Sequence, residues 1–285
     1  MITFGLDVPA TSFGPGPMVD PVRAAQRAEA LGFDFVSASD HPSGTAPSFE
    51  NWTMLTWMAA HTSRLTVMSR VLGVPFRNPG LVAKMAESLS RLSGGRFALG
   101  LGAGAADGEL RAFGLPVPSA RDKVDGLAEA IEITRGLWTE PALSYDGRVF
   151  RTAAAPLEPK PTYPIPIWVG TFGPRALALT GRLADGWIPS LGHAPPDAIP
   201  AMRSRIAAAA ESAGRDISQI ELGYLLDVRL GKSDAEHVVS GTAEQIAERL
   251  IEFTRLGFTT FNLKVRDDEA DRVAADVIPL VREAA

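Results

Sequence analysis

Two hydrophobic periods alternate along the chain. Short runs rich in Val, Ile, Leu and Phe read as strands at residues 2–8, 33–38, 65–71, 97–101, 166–170, 186–189, 219–228 and 259–265. Between them apolar residues recur at helical spacing, as in Val22, Ala25, Ala28 and Leu31, or Trp52, Leu55 and Ala59. The helix starts carry capping chemistry: Asp20-Pro21 opens one, and Thr242 precedes Ala243-Glu244-Gln245 at another. The helix ends carry glycine at Gly32, Gly94-Gly95 and Gly257. Leu31-Gly32-Phe33 and Leu256-Gly257-Phe258 mark the same helix-to-strand corner twice. Eight strands alternating with eight helices in this length predict an α/β fold, a closed (β/α)8 TIM barrel, with an open doubly wound sheet as the alternative.

Residues 139–166 break the rhythm. Leu143-Ser144-Tyr145 and Arg148-Val149-Phe150 flank Asp146-Gly147, the signature of a small hairpin. Pro156, Pro159, Pro161, Pro164 and Pro166 then hold an extended connector. The βα alternation resumes at once, so the segment reads as an insertion between the fourth helix and the fifth strand. Residues 1–285 are therefore expected to form a single barrel domain.

Composition narrows the function. Across 285 residues the formal net charge is −5, with Arg scattered along the chain, which disfavours nucleic acid or an anionic membrane as partner. Cysteine is absent, excluding disulfides, thiolate nucleophiles and Cys-based metal sites. No apolar run approaches the roughly 18 residues of a membrane span. Met1-Ile2-Thr3-Phe4 begins a strand rather than a basic leader. The expectation is a cytoplasmic protein acting on a small molecule, with a homodimer left open.

In a barrel the chemistry lies at the C-terminal ends of the strands. There the chain offers Asp7, Asp40, His41, Arg77, Asn78, Ser190, His193, Asp227, Arg229, Lys264 and Arg266. His41 is a candidate proton donor or acceptor, the role for which histidine is the usual side chain; the plainer reading is a turn anchor before Pro42. His193 could join it, His61 reads as a helix cap, and His237 receives no role. The loop at 102–108, Gly-Ala-Gly-Ala-Ala-Asp-Gly, could approach an anion with its backbone N–H groups, or be an ordinary turn. It is not a dinucleotide fingerprint, because Pro116 and Pro118 delay the helix. Gly170-Thr171-Phe172-Gly173-Pro174 leaves a strand and enters a helix, which suits a phosphate through the helix dipole and the Thr171 hydroxyl; an ordinary βα turn is the alternative. Phe49, Trp52 and Trp57 wall a pocket or pack in the core. A metal-dependent hydrolase would need several His and carboxylate ligands from different strands, so no metal is expected.

One ordered set of segments resembles the bacterial luciferase-like family of flavin and deazaflavin oxidoreductases. The set is Leu31-Gly32-Phe33-Asp34, Ser39-Asp40-His41, Pro75-Phe76-Arg77-Asn78-Pro79, Leu92-Ser93-Gly94-Gly95-Arg96-Phe97, Gly100-Leu101-Gly102-Ala103-Gly104, Pro166-Ile167-Trp168-Val169-Gly170, Gly173-Pro174-Arg175-Ala176 and Leu183-Ala184-Asp185-Gly186-Trp187. The resemblance implies a flavin-type ring in the barrel mouth, backed by a non-prolyl cis peptide at Arg70–Val71. Arg70 departs from the small residue usual there. Cofactor contacts would come from Asp40, Arg70, Val71, Gly73, Ala103, Gly104, Gly108, Gly170, Thr171, Phe172, Gly173 and Pro174. Ser39-Asp40-His41 is similar to deazaflavin members, whose His faces the reacting ring. Flavin mononucleotide (FMN) members often carry a basic residue where Ala103 stands. Both features favour coenzyme F420, with FMN as the alternative. Ala105 replaces the Glu of the sugar-phosphate dehydrogenases, so a hexose phosphate is not expected. The implied reaction is hydride transfer between the deazaflavin and a carbonyl, alcohol or conjugated alkene. His41 would exchange the accompanying proton, and Asp40 would orient His41 or touch the ring. The runner-up is a monooxygenase using reduced flavin and oxygen; a barrel that only binds a ligand is the non-catalytic alternative.

Overall fold

The computed structural model describes residues 1–10 and 18–284. Eight parallel strands form a closed barrel: β1 (Thr3–Asp7), β2 (Phe35–Ala38), β3 (Thr66–Ser69), β4 (Phe97–Gly102), β5 (Ile167–Val169), β6 (Gly186–Trp187), β7 (Glu221–Leu230) and β8 (Thr260–Lys264). Each pairs with the next, and β8 returns to β1 in the register Thr3↔Thr260. Helices separate the strands, as the periodicity predicts. No helix among the described residues is long and apolar enough to cross a membrane.

The predicted caps are present. The Asp20 carboxylate accepts the N–H groups of Val22 and Arg23, and Pro21 takes the first helical position. Gly94 ends the helix Pro79–Ser93 in the left-handed conformation, φ 72°, which a residue with a Cβ resists. Thr242 and Gln245 form a reciprocal capping box. His61 is the C-cap of Asn51–Ala60, as expected.

Four local features differ from the sequence reading. A short helix, Asp107–Ala112, occupies the second half of the glycine-rich loop. An extra strand, Val238–Gly241, pairs in parallel with β7. The C-terminal helix contains a π-turn at Val273–Val277, where Pro279 has no N–H to continue the regular ladder. Trp57 lies on the surface against His61 and Phe49 is also exposed, whereas Trp52 packs against the core, edge-on to Phe97, as its helical spacing implies. The 139–166 insertion does carry its hairpin, Leu143–Asp146 with Arg151–Ala155. Glu129 ties the turn down by accepting the N–H groups of Arg148, Val149 and Phe150.

The barrel interior determines what the mouth presents. Side chains alternate across each strand, so every second residue faces inward. Phe35, Met68, Ala98, Trp168 and Ile188 form the apolar plug. Gly5 and Gly186 make room for it: a Cβ there would sit 2.1 Å from the Phe35 ring and 2.2 Å from the Trp168 ring. Two residues further along the strands the inward positions turn polar, with Asp7, Ser37, Arg70 and Asn262. This polar layer is the floor of the site.

Candidate active site

A cavity of about 380 Å³ opens at the C-terminal end of the barrel, within the range of small-molecule sites. Its lining includes Asp7, Arg70, Val71 and Gly73, with His41, Gly104, Ala105, Asp227 and Lys264. The Arg70–Val71 peptide is cis, as the resemblance implies.

Asp40 also borders the cavity, but its carboxylate points away from His41. Consecutive residues leaving a strand project to opposite sides. The carboxylate accepts both Arg77 Nη1 (2.7 Å) and Nη2 (3.1 Å), together with the Gly73 N–H (3.0 Å). Its side chain is fully buried. Arg77 Nη2 reaches Glu50 Oε1 at 2.5 Å as well. Burial works against the Arg77 charge, but the Asp40 and Glu50 carboxylates outweigh it and hold its pKa above the ordinary value. Burial likewise pushes Glu50 up; the Thr53 and Trp52 N–H groups, the Thr53 hydroxyl and Arg77 more than reverse this, leaving its pKa below the usual carboxylate range. Asp40 is thus the centre of a fixed ionic joint between two top loops, and the expectation that it orients His41 is corrected.

The partner of His41 is Glu109. His41 Nδ1 lies 2.7 Å from Glu109 Oε1, and the Ser43 N–H donates to Oε2 at 3.3 Å. Glu109 comes from the short helix Asp107–Ala112, which Lys123 anchors by an ion pair with Asp107. The arrangement leaves His41 Nε2 without a partner among the described residues. A carboxylate on Nδ1 fixes the ring's orientation and leaves Nε2 to exchange a proton, the usual preparation of an imidazole for acid–base work.

The remaining expected contacts divide. Val71, Gly73 and Gly104 line the cavity, whereas Ala103 packs against the core and Gly108 lies within the short helix. At Gly73 a Cβ would come 2.7 Å from the Phe76 ring, and at Gly104 2.7 Å from Pro75, so both loops need glycine to approach this closely. Gly170 stands beside the Val71 side chain, 3.5 Å from where its own Cβ would be. Gly173 is the N-cap of the helix Pro174–Leu183, with no side chain spent on that helix's first N–H groups. The Thr171 hydroxyl, expected to meet an anion, is instead buried against the Thr180 hydroxyl at 2.7 Å, so the backbone supplies whatever that corner donates. Phe172 stacks on His193 at 4.6 Å, and His193 Nδ1 lies 2.9 Å from Ser190 Oγ. Asn78 caps the helix Pro79–Ser93, and Arg266 pairs with Asp268.

Comparison with known proteins places this geometry. The family model for luciferase-like monooxygenases matches residues 7–239, and the chain belongs to that family. An F420-dependent glucose-6-phosphate dehydrogenase of Nakamurella multipartita is 33% identical over 253 residues, 85% of this chain and 71% of the relative. The corresponding protein of Intrasporangium calvum is 36% identical over 206 residues, 67% of this chain and 59% of that relative. Among solved structures, an F420-dependent secondary alcohol dehydrogenase in complex with an F420-acetone adduct superposes with TM-score 0.87 at 22% identity, covering 99% of both chains. The F420-dependent tetrahydromethanopterin reductase of Methanopyrus kandleri gives 0.79 at 19% identity, covering 98% of this chain and 99% of the other. At these identities the structural likenesses establish the fold.

Proposed function

We propose that the chain is a coenzyme F420-dependent oxidoreductase that moves a hydride between the deazaflavin and a small alcohol or carbonyl compound. The observation that carries this reading is the His41–Glu109 dyad on the wall of the cavity, in a chain whose curated relatives are F420-dependent dehydrogenases. Glycines at 73 and 104 let the cavity's loops approach closely, which supports a flat ring there, and the helix start at Gly173-Pro174, outside the cavity lining, has its first N–H groups free of any side-chain cap, which suits a phosphate. Residue 103 offers no basic side chain for an FMN phosphate.

The bound deazaflavin supplies the two-electron chemistry. His41 Nε2 takes the hydroxyl proton of an alcohol, or returns it to a carbonyl oxygen, while Glu109 steadies the charge that forms on the ring. The Arg77–Asp40–Glu50 joint keeps the loop carrying His41 in place. Ala105 lines the cavity where the resemblance places the Glu of the sugar-phosphate dehydrogenases, which supports a substrate other than a hexose phosphate.

The test is an anaerobic assay with oxidised deazaflavin, scanning short primary, secondary and cyclic alcohols beside glucose 6-phosphate. Loss of the cofactor's absorbance with an uncharged alcohol is expected. Reduction with glucose 6-phosphate alone would place the substrate with that of the curated relatives. No reduction with any alcohol, and no reoxidation of the reduced cofactor by the matching ketones, would contradict the reading.

A further inference from the structure

Arg70 follows β3 directly and lines the cavity. Nε and Nη2 both donate to one oxygen, Asp7 Oδ1, at 3.1 and 2.9 Å. The same oxygen accepts the Ser37 hydroxyl at 3.2 Å, and Asn262 Nδ2 donates to Ser37 Oγ at 2.6 Å. A hydrogen-bonded chain therefore runs from β8 through β2 to β1 and holds a guanidinium that starts on the loop after β3. A guanidinium presents five N–H donors in a rigid fork. Asp7 takes the Nε side of the fork, and the Nη1 end has no partner among the described residues. The cation is also the more exposed member of the pair, 16% against 6%.

Resting on the cofactor assignment above, we propose that Arg70 is a cofactor-tuning residue whose charge favours the reduced deazaflavin over the oxidised form. Arg70 and Asp7 both line the cavity that the ring would occupy, and the guanidinium is the more exposed of the two. Hydride uptake brings two electrons and one proton to the ring, which leaves it one charge more negative before any further proton is taken up, and a fixed cation beside it stabilises that charge; charge placed near such a ring is a principal means by which a protein adjusts its electronics. Asp7 acts by holding Arg70 in position. Ser37 and Asn262 act through Asp7.

The experiment measures binding and potential, and needs no substrate. Oxidised coenzyme F420 is titrated by fluorescence into wild type, Arg70→Ser, Arg70→Lys and the double variant Asp7→Asn/Arg70→Ser, and the midpoint potential of the bound cofactor is read against a reference dye. The double variant removes both charges together, so that no carboxylate is left buried alone if Arg70→Ser fails to fold. Variants lacking the cation are expected to lose about tenfold more affinity for the reduced than for the oxidised form. That differential lowers the bound midpoint by about 30 mV for a two-electron couple. Arg70→Lys is expected to keep most of the wild-type potential. Equal losses in both oxidation states, or an unchanged midpoint, would overturn the proposal and leave Arg70 as a structural partner of Asp7. Failure of wild type to bind the deazaflavin would instead overturn the cofactor assignment, and this inference with it.

Discussion

Replacing His41 with asparagine is expected to slow turnover about 10²–10⁴-fold, the usual worth of a positioned acid–base group, with cofactor affinity close to wild type. Asparagine keeps a polar side chain facing Glu109 but cannot exchange a proton near neutral pH. The loss should therefore fall on kcat, and the near-neutral limb of the pH profile should disappear. Glu109→Gln keeps the imidazole but removes the charge opposite Nδ1. It should reduce kcat less than His41→Asn does, because the imidazole keeps a hydrogen-bond partner on Nδ1. The check is kcat against pH for all three proteins with one reactive alcohol. If His41→Asn retains wild-type turnover and the same profile, His41 is a turn residue, and the proton passes through another group.

Arg77→Ala is the substitution expected to damage the fold most. It would strand the Asp40 carboxylate, whose side chain is fully buried, with one backbone N–H as its remaining partner. Breaking one side of a buried ion pair typically costs about 3–5 kcal/mol. For a chain of this size that corresponds to a fall in Tm of roughly 6–20 °C. Asp40→Asn should cost less, because Arg77 keeps Glu50 on the other side. Thermal unfolding followed by circular dichroism compares the two variants with wild type. A Tm for Arg77→Ala within a degree or two of wild type would mean that Asp40 is hydrated and that the joint contributes little.

The barrel was legible because each strand is a short apolar run closed by a helix whose ends carry their own chemistry. Asp20-Pro21, Gly94 and Thr242 mark their boundaries whatever the tertiary context. The extra strand Val238–Gly241 was not, because its four residues lack alternation and gain their structure by pairing with β7. At the site, the Asp40-His41 position at the end of β2 could be read directly. What each residue bonds to could not, since Arg77, Glu109 and Asp7 arrive from separate loops. Glu109 was concealed in a stretch whose glycines suggested a loop without a helix. The Asp7–Arg70 pair had a signal that went unread. Counting by twos from Gly5 on β1 and Met68 on β3, the strands on either side of β2, brings both residues onto the inward face. Thr171 misled because a threonine beside a helix start resembles an anion donor, while the hydroxyl of Thr180, nine residues later, claims it.

The most direct measurement is a paired fluorescence titration of the purified protein with coenzyme F420 and with FMN under identical conditions. The missing basic side chain at Ala103 and the F420-dependent relatives lead to the expectation of tighter binding of the deazaflavin. Equal affinity, or a preference for FMN, would contradict the assignment and move the chain to the flavin monooxygenases of its family.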